Sequence, residues 1–152
     1  MNEPTVLNDL YVDVLANRLG LTARVVSADG LLSYSLERYT CLLEHGGIAD
    51  PSYIALRLSF EARAFGVGGV VPDRSSLDAA AARVTDRIKV AKASVRDDHV
   101  VFSCELLVSA RGILPTQASV VDVLPRGHEL LIAATDQFAE TVALLGIEAA
   151  SA

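Results

Sequence analysis

"VAKASVRDDHVVFSCELLVS", residues Val90 to Ser109, decides the fold. Two aspartates, a histidine and a cysteine fall between Asp97 and Cys104, so the stretch reads either as a reactive centre or as a turn between two strands. Period decides for the turn. Val100, Phe102, Cys104, Leu106 and Val108 alternate with Val101, Ser103, Glu105 and Leu107, as a strand requires. Asp97-Asp98 is turn chemistry, and Ile88 to Val95 reads as the partner strand. His99 and Cys104 are an odd number of residues apart and fall on opposite faces. A cysteine nucleophile needs a base within hydrogen-bond reach; Cys104 instead shares its face with Phe102 and Leu106, as a small hydrophobe. Asp97, Asp98 and His99 would need a fourth ligand to hold a metal, and nothing places His45 or His128 beside them. Neither a catalytic set nor a metal site is expected. Both faces of Val100–Val108 are largely apolar, which predicts a strand that is central or covered on both sides.

Working outward, Ser75-Ser76-Leu77-Asp78 has the form of an N-terminal cap, and Leu77, Ala81, Val84 and Ile88 line one face of the helix it opens. "FGVGGVVPDRSS" before it is a loop, because its glycines match no phosphate-binding pattern. After the hairpin, Pro115 to Gly146 reads as one long helix ending at Gly146, with "EAASA" as a frayed tail. Leu124, Leu131, Phe138 and Leu145 form one apolar seam, and Val121, His128, Thr135 and Val142 a second. Pro125 predicts a kink or a break.

In the first half, Pro4 and Gly20 bracket a helix with Val6, Leu10, Val14, and also Leu7 and Leu15, on its apolar stripe, and with Asn8, Asp13, Asn17 and Arg18 on its polar face. Asp29-Gly30 predicts a turn between two strands, the second continuing through Tyr39–Glu44 past a bulge or tight turn near Glu37-Arg38. "HGGIADP" is a loop. In "SYIALRLSF", Ile54, Leu56, Leu58 and Phe60 point one way and Tyr53, Ala55, Arg57 and Ser59 the other. The order α-β-β-β-α-β-β-α predicts a single α+β domain: a twisted antiparallel sheet flanked by helices.

The chain has 152 residues, 51% hydrophobic and 21% charged, enough to bury a core without disulfides. Cys41 and Cys104 show no framework spacing. A net charge of −6 with dispersed Lys and Arg argues against a nucleic-acid partner. The amphipathic, acid-bearing N-terminus is neither a signal peptide nor a spanning helix, so no membrane insertion and a cytoplasmic location are expected.

The order and its punctuation resemble the YbjN family, which shares a fold with the class I chaperones of type III secretion. The resemblance rests on an Ala-rich helix leading into "IKVAKASV", the turn "RDDH", "VVFSCELLVS", the loop Leu114-Pro115-Thr116, and a last helix ending "AATDQFAETVALL". "DPSYIALRL" stands in place of the family's Asp-Pro-aromatic approach to a strand, and Pro125 departs from an uninterrupted last helix. The match spans about Val6 to Leu145. It implies a non-enzymatic, homodimeric module that binds a protein or peptide client, with no cofactor. A dedicated secretion chaperone is the alternative within that class; a small thiol- or His-dependent enzyme or small-molecule binder is the rival outside it. The apolar strands exceed what one helix layer must cover, which nominates Ile54, Leu56, Leu58, Phe60, Val101 and Leu107, with His128 on the last helix, as a peptide or dimer surface. The acidic residues of the last helix, Asp122, Glu129, Asp136, Glu140 and Glu148, read as a solvated face.

Overall fold

The computed structural model describes the backbone of residues 3–46 and 50–151 and the side chains of residues 6–46 and 50–148. Among the described residues three α-helices and six strands make an α+β domain: α1 (Glu3–Leu19), β1 (Ala23–Ser27), β2 (Leu31–Leu36), β3 (Tyr39–Gly46), β4 (Asp50–Glu61), α2 (Arg74–Arg87), β5 (Ala91–Arg96), β6 (His99–Leu107) and α3 (Gln117–Ser151). A 3-10 turn, Ala62–Phe65, follows β4. The strands form one antiparallel sheet in the order β1-β2-β3-β4-β6-β5.

The turn Asp97-Asp98 joins β5 to β6, with Asp97 at φ 53°. β6 is central, between β4 and β5. It is covered on one face only. Val100, Phe102 and Cys104 are buried, whereas Val101 and Ser103 are half-buried and Glu105 and Leu107 exposed. Of the two expected arrangements the strand takes the first, an interior place in the sheet, and its second apolar face stays open, with Leu107 at 69% exposure.

The first half holds four strands where the sequence suggested three. Glu37-Arg38 is a tight turn, with Glu37 at φ 55°, and it folds β3 back on β2 with Leu36 opposite Tyr39. The Asp29-Gly30 turn is real and requires glycine twice over. Gly30 sits at φ +119°, and a Cβ there would lie 2.7 Å from the His45 ring. Residues 47–49 of the expected "HGGIADP" loop lie outside the described residues; His45 and Gly46 belong to β3, and Asp50 and Pro51 to β4.

Other boundaries move for local reasons. Asp73, not Ser75, caps α2, accepting the Ser76 backbone N–H at 2.8 Å. Ile88 ends that helix, and Val90, at φ 76°, turns the chain into β5, which starts at Ala91 rather than Ile88. Thr116 and Ser119 cap α3 reciprocally, each side-chain oxygen accepting the other's backbone N–H at 3.0–3.1 Å. α3 runs through Pro125 without a break, and Gly146 lies inside it rather than ending it. Pro125 removes only one backbone donor, and the residues on both sides stay packed. In α1 the buried stripe is Leu7, Tyr11, Val14 and Leu15; Val6 is exposed and Asn8, expected on the polar face, is buried.

All three helices share one core with the inner face of the sheet. All four phenylalanines, Phe60, Phe65, Phe102 and Phe138, meet in T-shaped contacts there, the closest being Phe65–Phe138 at 4.7 Å between centroids. α3 comes so close to β4 and β6 that a Cβ on Gly127 would meet Leu56 and Leu106 at 2.6 Å.

Candidate binding face

Cross-strand register places the functional candidates. Ile54, Leu56 and Leu58 lie opposite Leu106, Cys104 and Phe102, and all three are at most 1% exposed. They belong to the core beneath α3, and the half-buried Phe60 joins the phenylalanine cluster. None is available to a partner of the folded chain, because α3 and the 3-10 turn cover that face. Val101 and Leu107 lie on the opposite face, away from the core that the described helices share with the sheet.

His128 also points inward, 6% exposed. Its Nε2 stands 2.6 Å from the Tyr34 hydroxyl of β2, and burial pushes its pKa down to about 4. A second buried histidine ties α1 to the sheet: His45 Nε2–H donates to Asn8 Oδ1 at 2.6 Å, and Asn8 Nδ2 donates to the Ala28 carbonyl. Burial lowers the His45 pKa as well. Tyr11 stacks on that ring at 5.5 Å, with its own hydroxyl buried and unpaired. Cys41 and Cys104 are free and buried, and burial pushes both thiols up to about 11. Such thiols are almost wholly protonated at neutral pH, the opposite of what a nucleophile needs. His99 Nδ1 and Asp98 Oδ1 are 2.7 Å apart in the exposed turn, and that hydrogen bond lowers the Asp98 pKa. Among the described residues no group of three or more His, Cys, Asp or Glu could hold a metal ion.

The face away from the helices is assembled from every strand. One row crosses the whole sheet: Arg24, Ser33, Leu42, Arg57, Ser103 and Lys92. The next row is Glu44, Ala55 and Glu105. On the other side of the cation row lie Ser94, Val101 and Ser59. Arg57 bonds Glu44 at 3.3 Å, both side chains being about half exposed. Ala55, Arg57, Lys92, Ser94, Ser103 and Glu105, with Thr85 of α2, line a shallow hollow on this face.

Neither edge of the sheet offers an easy template. At β5 the Thr85 hydroxyl accepts from the Ala93 N–H at 3.1 Å and lies 3.5 Å from its carbonyl, and Arg74 donates to the Val95 carbonyl at 3.1 Å. These side chains occupy the groups a new strand would use. β1, at the other edge, is five residues long with a register irregularity between Val25 and Ser27. Short, bulged edges pair poorly.

α3 is long and apolar enough over 117–148 to cross a membrane by length and composition, but Val120, Leu124, Leu131, Phe138 and Val142 of that helix are core residues under the sheet. Comparison with known proteins finds no matching family model, no matching curated protein and no matching solved structure. The likeness to YbjN proteins therefore rests on the residue pattern alone.

Proposed function

We propose that the chain is a non-enzymatic protein- or peptide-binding module that receives its partner on the helix-free face of the sheet. The observation that carries this is one-sided cover: among the described residues, six strands with the helices on one side, a β5 edge bonded by α2 side chains and a short, irregular β1 edge. A partner is then met by the face rather than by strand addition. Tyr53, Val101 and Leu42 supply half-buried apolar contacts and Leu107 an exposed one. The buried, protonated thiols support a binding role over thiol catalysis. As the YbjN resemblance implies, the module would be a homodimer in the cytoplasm.

A photo-crosslinking residue at Ser103, in the open face, tests the reading in the native cell against the same residue at Ala133, exposed on α3. Crosslinks to a second chain from position 103 and none from 133 are expected. Crosslinks only from 133 would move the site to the helices and sink the proposal.

A further inference from the structure

The open face carries a charge balance that the rest of the chain does not. The protein as a whole is at −6. On this face Arg24, Arg57, Lys92 and Arg96 stand against Glu44, Glu61 and Glu105, and two of those acids are already engaged, Glu44 by Arg57 and Glu61 by Arg63. Hydroxyls of Ser33 and Ser103 sit in the same row as the cations. Cations interleaved with hydroxyl donors bind carboxylates by charge-assisted hydrogen bonds.

Resting on the binding role argued above, we propose that this face takes an acidic, extended peptide segment laid across the strands. Its carboxylates would meet Lys92, Arg57 and Arg24 in turn. The spacing follows from strand geometry. Lys92 and Arg57 are two strands apart, about 10 Å, and Arg57 and Arg24 three strands apart, about 14 Å, at roughly 4.8 Å per strand. An extended peptide covers about 3.3 Å per residue and turns only every second side chain to one side, so acids spaced four residues apart, about 13 Å, face the row and meet the cations within the reach of the Lys and Arg side chains. Glu44 is the internal competitor. Its pair with Arg57 is exposed, and exposed pairs are worth little, so an incoming carboxylate can replace it.

The test uses fluorescence anisotropy on the whole chain with a labelled twelve-residue Ser/Ala peptide bearing glutamates at positions 2, 6 and 10. An otherwise identical peptide with glutamine at those positions is the control. Binding of the glutamate peptide at 50 mM salt is expected, weakened at least tenfold by Arg57→Gln with Lys92→Gln and also by 500 mM salt. Glu44→Gln should tighten binding at least twofold, a gain that damage to the fold would not produce. Equal binding of both peptides, if lost in Leu107→Asp, would overturn the acidic partner and keep the face as a binding site. No binding of either peptide, with crosslinking absent at Ser103, would overturn both. Concentration-dependent self-association that blocks the peptide, or a single-stranded oligonucleotide that outcompetes it, would replace the acidic segment with a second copy or a nucleic acid.

Discussion

Replacing His128 with glutamine should flatten the acid side of the stability profile. In the folded chain the ring is buried against Tyr34, with Cys41 opposite that tyrosine across the β2–β3 pair. Burial holds its pKa near 4, against 6.5 for the free side chain. The unfolded chain therefore takes up the proton first as pH falls. Stability from this group is whole above pH 6.5, declines below it, and is fully lost below about 4. Over that window the loss is about 3 kcal/mol, and between pH 7.5 and 5.5 it is about 1.4 kcal/mol. The narrower interval keeps the protein above its pI of about 4.9. Urea denaturation of wild type and His128→Gln at both pH values provides the assay, since His45 and the carboxylates contribute equally to each and drop out of the difference. Wild type should lose about 1.4 kcal/mol more than the variant. Parallel profiles would show that His128 is already solvated in the folded state, and the packing of α3 on β2 would have to be redrawn.

Tyr11→Phe removes a buried hydroxyl without a partner and should stabilise the protein by about 1 kcal/mol, raising Tm by about 2–4 °C; a drop in Tm would mean that the hydroxyl is bonded. A thiol reagent at pH 7.5 should label Cys41 and Cys104 only at the rate of unfolding, slowly in buffer and fully in denaturant. Rapid labelling of either in buffer would favour the rival reading of a thiol-dependent enzyme.

Period and turn chemistry made most of the fold legible. The alternation in Tyr53–Phe60 and Val100–Val108 placed the inner strands β4 and β6, and Asp29-Gly30 and Asp97-Asp98 placed the β1–β2 and β5–β6 turns, because these signals are local. The Glu37-Arg38 turn was harder to read, since no glycine marks it and Glu37 itself takes the positive φ. In α1, Val6 and Leu10 share a helical face with Val14, so pattern alone could not tell which of two adjoining stripes the sheet would claim. Tyr11 and Asn8 went inside because His45, far away in sequence, offered one a ring and the other a donor. The candidate surface shows the same limit. Apolar alternation marks a buried face, and only the arrangement of helices says which of the two faces that is. Leu107 and Val101 kept their place outside, while Ile54, Leu56 and Leu58 did not. The cation row was invisible in the sequence, because Arg24, Arg57 and Lys92 come together only through register.

The hydroxyl of Thr85 and the guanidinium of Arg74 on β5 bear on how large an assembly this protein can build. Sheet growth needs an acceptor edge on every subunit added, and a molecule with one edge stoppered can extend in a single direction. Were two copies ever joined strand to strand through β1, the composite sheet would have a stoppered β5 at each outer end. Addition would halt at two. A six-stranded sheet with a bare face is an obvious seed for fibres, and two side chains of one helix make it a dead end.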